Sequence, residues 1–325
     1  MSTDKRESGR HRRLVHGLLQ RIFHNRVKTD LYYVSSDINV MSNLRLACPG
    51  HGALQRPDYD DTPTPEFLQP SWMANIPDNR PLCEVTIPGT HNSMALYGGF
   101  LAQCNSWPLA QQLQAGVRFL DVRVRHIQGN LTIYHGVLYQ WAHFGEVLED
   151  VAAFLKQNPT ETVLMRLREE LSETRDIYRA VVTYVHQYAH WDLLWHSQLM
   201  PTMGEARGKL IILQDFPGPH LGMQYRSLEI ADDWKVLSLQ PKYVDKKWKS
   251  VRTHLEEAAM GSQAYMFLTY SSGAGFLANP QSLAKRINPR LYDYLCAHAE
   301  EKKRFGIIAM DFSGAMLVKL IIDFN

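Results

Sequence analysis

The chain has 325 residues and a formal net charge of +2, with 35 Lys+Arg set against 33 Asp+Glu. It is long enough for one large domain or two small ones, and its near-neutral balance excludes the strong basic patch of a dedicated nucleic-acid binder. No run of about 18 apolar residues occurs, so no segment reads as a membrane-spanning helix.

Residues 1–66 differ from the rest of the chain and are expected to be an N-terminal extension. Arg10, Arg12, Arg13, Arg21, Arg26 and Lys28 surround Leu14, Val15, Leu18, Leu19, Ile22 and Phe23, which recur at helical spacing. This pattern suits a basic amphipathic helix on an anionic membrane, and equally a poorly ordered terminal segment. Asp4 and Glu7 weaken a transit-peptide reading. Residues 56–66, with Pro57, Pro63 and Pro65, read as a linker. Behind Met1 there is no apolar signal segment, which points to a cytoplasmic chain. Cys48, Cys83, Cys104 and Cys296 form no CxxC pair, which argues against a zinc site. Their wide spacing gives no disulfide framework, so reduced thiols are expected.

From residue 67 strands and helices alternate. The expected strands are 84–88, 117–127, 131–135, 162–168, 209–213, 265–270 and 306–311, and the expected helices are 144–157, 174–189, 244–260 and a final apolar run. Such alternation favours a parallel α/β sheet, open or closed into a barrel. Neither GxGxxG nor GxxxxGK[ST] is present, which removes support for a nucleotide-binding open sheet. In a barrel the chemistry sits at the C-terminal ends of the strands. His91, Arg123, His135, Arg168 and Asp311 all fall at such ends.

In Thr86-Ile87-Pro88-Gly89-Thr90-His91-Asn92-Ser93 a strand runs into a turn that presents a histidine, with Gly89 expected to let the backbone approach a ligand. In Gly116–Arg125, Asp121, Arg123 and Arg125 alternate onto one strand face. Tyr134-His135-Gly136 ends another strand. Two histidines and an arginine suit phosphodiester cleavage: one imidazole removes a proton from the attacking hydroxyl, the other donates one to the leaving oxygen, and the guanidinium holds the phosphoryl oxygens. With 14 histidines in the chain, either one alone carries little weight.

Together with these motifs, several others place the chain in a family. They are Trp72-Met73, Ile76-Pro77-Asp78, Phe119-Leu120-Asp121-Val122-Arg123, His135-Gly136-Val137-Leu138-Tyr139, Asn158-Pro159-Thr160-Glu161-Thr162, Gly204–Lys209, Ile287-Asn288-Pro289 and Gly306–Asp311. In this order residues 72–325 resemble the phosphatidylinositol-specific phospholipases C of the X-domain family, and most of all their bacterial, single-domain, calcium-independent type. The resemblance implies a distorted (β/α)8 barrel over residues 67–325. It implies an enzyme that converts phosphatidylinositol-type lipids to diacylglycerol and inositol 1,2-cyclic phosphate at a membrane surface, as a monomer and without cofactor or metal. By the same resemblance His91 is the general base, His135 the general acid, Arg123 the phosphate ligand and Asp311 the partner of the base. Asp121 belongs to the same cluster, and Arg168 and Tyr243 are head-group contacts.

Three positions depart from the bacterial pattern. Asn92 replaces the Asp that partners the acid histidine, and an amide cannot supply the charge that raises an imidazole's pKa. Asp215 aligns with an inositol-binding Arg, and Pro241 with an Asp. Calcium-dependent relatives do have His-Asn, but carry a carboxylate where Arg123 stands. Two other readings remain: an inositol-lipid-binding domain with weakened catalysis, and a glycerophosphodiester phosphodiesterase, with which Arg123 sits badly.

Overall fold

A computed structural model describes residues 56–172 and 176–325. The basic stretch at 10–28 lies outside the described residues, as do Thr174 and Arg175 at the start of the helix expected at 174–189. Among the described residues there are ten strands: β1 (Ile87–Thr90), β2 (Phe119–Ile127), β3 (Asn130–His135), β4 (Leu138–His143), β5 (Val163–Glu169), β6 (Leu210–Asp215), β7 (Met223–Gln224), β8 (Glu229–Ala231), β9 (Phe267–Tyr270) and β10 (Ile307–Met310).

Eight of them form one curled sheet in the order β7-β6-β5-β2-β1-β10-β9-β8, and every ladder along that path is parallel. The result is a distorted (β/α)8 barrel with its seam between β7 and β8. Only residues 225–228 join those two strands, and they fold as a 3₁₀ turn, too short for the crossover a parallel pair needs. The remaining pair, β3 and β4, continues antiparallel from β2. The β2–β3 hairpin turns on Gln128 (φ 50°) and Gly129 (φ 81°), the positive-φ pair that a two-residue hairpin requires.

Between strands the helices bury one face each. In Phe144–Gln157 the buried set includes Phe144, Val147, Leu148, Val151, Phe154 and Leu155, the positions marked by apolar periodicity. Pro280–Ala297 is a helix that the sequence pattern hid, because Pro289 lies inside it. A proline there leaves the carbonyl four residues back without its helical donor. That carbonyl, of Lys285, accepts instead from Arg56 Nη2 at 2.9 Å.

Arg56 belongs to a stretch that is no open linker. Tyr59 pairs with Ser313, Asp60 N–H donates to the Phe312 carbonyl at 3.1 Å, and Trp107 Nε1 donates to Asp60 Oδ2 at 3.1 Å. The turn after β10 makes room for this strap with Gly314, where an added Cβ would stand 2.5 Å from the Pro57 carbonyl. Cys83 and Cys104 are free thiols.

Candidate active site

Strand register gathers the polar residues at one end of the barrel. Thr90 pairs with both Leu120 and Met310, so His91, Asp121 and Asp311 follow side by side. Two residues further on, Arg123 pairs with Arg168 and Arg168 with Asp215. Gly89 serves this packing rather than a ligand: a Cβ there would sit 2.7 Å from the Phe119 ring.

After β1 and β10 the chain turns sharply, through Asn92 (φ 45°) and Phe312 (φ 45°), a region that ordinary residues enter only when held. Two buried amides hold them. Asn105 Nδ2 donates to the carbonyls of His91 (2.9 Å) and Asn92 (3.2 Å). Asn288 Nδ2 donates to those of Asp311 (3.0 Å) and Phe312 (3.3 Å), which gives the Ile287-Asn288-Pro289 motif a structural task.

His91 Nδ1 lies 2.9 Å from Asp311 Oδ1, and its Nε2 lies 3.0 Å from Arg123 Nη2. A carboxylate only accepts and a guanidinium only donates, so the proton of the neutral ring is on Nδ1 and the lone pair on Nε2. The rings of His91 and His135 stand nearly perpendicular with centroids 6.4 Å apart. His135 Nδ1 is 2.7 Å from the Ala102 carbonyl, leaving Nε2 as the nitrogen that can deliver a proton. Burial pushes the His135 pKa below its ordinary value, and the charges of His91 and Arg123 act in the same direction against the Ala102 carbonyl. The group on His135 Nδ1 is therefore a backbone carbonyl and not the Asn92 side chain. Asn92 is buried, and its Nδ2 has no hydrogen-bond partner.

Arg123 is seated between two carboxylates. Its Nη2 donates to Asp121 Oδ2 at 3.0 Å and its Nη1 to Glu170 Oε1 at 3.1 Å. Burial alone would raise the Asp121 pKa, but the Arg123 and Arg166 charges outweigh it and hold the carboxyl well below its usual range. Glu170 also accepts from Gly136 N–H at 3.1 Å, so it ties Arg123 to the turn that carries His135. Glu170 was not among the residues singled out in the sequence. It lies just beyond β5, in a run of mixed charges that has no distinguishing periodicity.

Arg166 was also missed. Its Nη2 donates to Asp215 Oδ2 at 2.7 Å and its Nη1 to Tyr270 Oη at 3.1 Å, and the guanidinium lies 4.0 Å from the Tyr225 ring centroid. Asp215 is thus the anchor of a buried guanidinium from the neighbouring strand. The alternation of Arg166 with Arg168 along β5 was the available signal.

Other expected residues lie apart. Arg168 sits at the end of β5, its Nε 3.8 Å from Glu170. Arg125 leaves the cluster to bond the Leu171 carbonyl and cover the Tyr134 ring. Pro241 begins the helix Pro241–Met260, a favoured place for proline. Tyr243, on the same helix, lines a cavity of about 370 Å³ with Asp232, Trp234, Lys246 and Lys247; neither catalytic-site histidine is in that lining. Lys247 is buried, which pushes its pKa down to about 8, and its Nζ donates to the Tyr270 carbonyl at 2.8 Å. Of the aromatic residues near the strand ends, Trp107 and Phe144 are buried, whereas Trp141 is exposed.

Similarity to known proteins agrees with this geometry. Residues 78–215 match the family "Phosphatidylinositol-specific phospholipase C, X domain". The 1-phosphatidylinositol phosphodiesterase of Listeria monocytogenes is 29% identical over 276 residues, spanning 78% of this chain and 84% of that protein. The enzyme of the same name from Staphylococcus aureus strain Newman is 25% identical over 298 residues, spanning 78% of this chain and 94% of its own. The solved phosphatidylinositol-specific phospholipase C of L. monocytogenes superposes with a TM-score of 0.71, covering 80% of this chain and 99% of that one. With the barrel, the motif order and the paired histidines, these likenesses make the chain similar to the phosphatidylinositol-specific phospholipase C X-domain family, most closely over residues 78–215.

Proposed function

We propose that the chain is a phospholipase C that cleaves phosphatidylinositol-type lipids by general acid–base catalysis. The observation that carries this reading is the pair of imidazoles held 6.4 Å apart, each with Nδ1 on an oxygen acceptor and Arg123 beside the first. His91 Nε2 removes the proton of the inositol 2-hydroxyl, and that oxygen attacks phosphorus. The bond from phosphorus to the diacylglycerol oxygen breaks as His135 Nε2 protonates that oxygen. The products are diacylglycerol and inositol 1,2-cyclic phosphate. Asp311 stabilises the imidazolium formed on His91. The phosphate replaces His91 as a partner of Arg123, which Asp121 and Glu170 keep in position. Arg168, partly exposed at the same strand end, faces the head group.

The positive charge that the phosphate needs is supplied by Arg123 on its two carboxylates, which supports a metal-independent reaction. The catalytic unit of this reading is the barrel, residues 67–325, acting as a cytoplasmic monomer in peripheral contact with a membrane. No helix among the described residues is long and apolar enough to cross a bilayer.

The test is cleavage of labelled phosphatidylinositol by the purified chain, following the cyclic phosphate. His91→Ala and His135→Ala are each expected to lower turnover at least about 10²-fold, the usual cost of losing a general acid or base. A folded variant with near wild-type turnover would refute the assignment.

A further inference from the structure

One buried thiol at the site has no part in this chemistry. Cys104 is clamped from both sides, its N–H donating to the Ala95 carbonyl and its own carbonyl accepting from Phe312 N–H. This fixes it between the turns that carry His91 and Asp311. Ligand-type atoms of His91, Cys104 and Asp311 all lie within 4.8 Å of one another. The sulfur is also 4.0 Å from His135 Nδ1. A small buried cysteine is most simply a core residue, but a core cysteine is not ordinarily ringed by two imidazoles and a carboxylate.

We propose that His91, Cys104 and Asp311 form an inhibitory site for a borderline-soft divalent cation, zinc first of all. Zinc–ligand bonds of about 2.0–2.3 Å put tetrahedral donors roughly 3.3–3.8 Å apart. The present cluster therefore needs to contract by about an ångström, through rotation of the His91 ring, which is the solvent-facing member. Charge also balances. Asp121 and Glu170 already offset Arg123, so the thiolate of Cys104 and the carboxylate of Asp311 are left to neutralise the dication. The thiol proton goes to solvent as the metal–sulfur bond forms. Calcium and magnesium, which prefer all-oxygen shells, are excluded by the sulfur and nitrogen donors. The bound cation takes the base histidine and its carboxylate out of use. That consequence rests on His91 being the base; metal binding itself does not.

The experiment uses the full chain, first stripped with a chelator. Cobalt(II) is the binding probe, because a cobalt–thiolate bond adds a charge-transfer band in the near ultraviolet. The band is expected at one equivalent, to disappear on adding zinc, to be absent in Cys104→Ser and to persist in Cys83→Ser. Micromolar zinc is expected to suppress lipid cleavage, with recovery on adding chelator. Cys104→Ser is expected to keep the basal rate and to need at least about tenfold more zinc, since losing a direct ligand should outweigh an outer-shell change. Absence of the thiolate band in the wild type, or equal zinc inhibition of Cys104→Ser, overturns the proposal. Should Cys104→Ser not fold, the band in the wild type and in Cys83→Ser decides alone. A chain that shows the band yet never cleaves phosphatidylinositol keeps the metal site and loses the catalytic reading.

Discussion

At the scale of single residues, the site depends on how two cations and two imidazoles are held. Arg123 spreads its donors over three partners, Nη1 serving Glu170 and Nη2 serving both Asp121 and His91. Lysine has one ammonium and cannot span that fork, so Arg123→Lys is expected to lose most turnover on phosphatidylinositol. Excess EDTA should not lower the wild-type rate, and a strict calcium requirement would contradict the role given to Arg123. His135 must be protonated to act as an acid, while burial pushes its pKa down. The basic limb of kcat/KM should therefore lie below the ordinary imidazole value, near 6.5, and the limb of kcat higher, because the bound phosphate is anionic. Asn92→Asp, which puts a buried carboxylate on the residue after His91, should move both limbs upward; no shift in either pH–rate profile would detach Asn92 from the acid. The lowered pKa also bears on folding. Above the unfolded value the group has no effect; as pH falls from there to the folded value, the unfolded chain binds more protons and stability drops.

Individual elements owe their placement to charged residues buried on the other side of the barrel from the histidines. Arg118 lies wholly buried before β2, where Nε and Nη2 bond Glu161 Oε2 at 3.0 and 2.8 Å. Its remaining donors reach the carbonyls of Leu113, Val117 and Pro70. This links the helix Leu109–Ala115, β2 and the entry to β5, and explains why Glu161 stands in the Asn158–Thr162 motif. Removing one partner leaves an uncompensated buried charge, which costs about 3–5 kcal/mol. Glu161→Ala should accordingly lower the urea midpoint strongly, while the folded fraction keeps its turnover. Asn288→Ala acts on the site instead, since it frees the carbonyls of the turn carrying Asp311. Its loss of stability should be about 1–3 kcal/mol, accompanied by lower kcat in the folded protein.

Among the described residues, many of the exposed large apolar side chains lie on segments near the histidines, although Leu68, Leu199, Met260 and Tyr265 are exposed elsewhere. Phe100 and Leu101 follow β1, Val137 and Trp141 lie on the β3–β4 pair, Trp234 and Leu237 follow β8, and Phe276 and Leu277 follow β9. All flank the strand ends that carry the histidines, and Phe276 is 99% exposed. Exposed apolar side chains of this kind mark interaction surfaces, and the lipid substrate proposed above makes a bilayer the surface to test. Replacing Phe276 and Trp141 by Ala together should weaken binding to phosphatidylinositol vesicles, with cleavage of a soluble, short-chain substrate unchanged. Sedimentation with vesicles and the two assays side by side check this; equal loss on both substrates would place these residues in the head-group site instead.

The alternation of strand and helix, the helix at 144–157 and the two histidine turns were legible in the amino-acid sequence. Each depends on periodicity or on a run of adjacent residues, which local backbone geometry translates directly. What remained hidden was set by contacts between distant positions. Strand register brings Arg123, Arg168 and Asp215 into line, and only then does Asp215 become the anchor of Arg166. Glu170 gained meaning from the turn at Gly136, and the helix around Pro289 from Arg56, which lies far from it in the chain. Trp107 and Phe144, aromatic residues near strand ends, are buried, because packing and not side-chain chemistry decides which way a loop faces. The gathering of His91, Cys104 and Asp311 has no signature in spacing at all, since parallel strands make neighbours of segments that the chain separates by hundreds of residues.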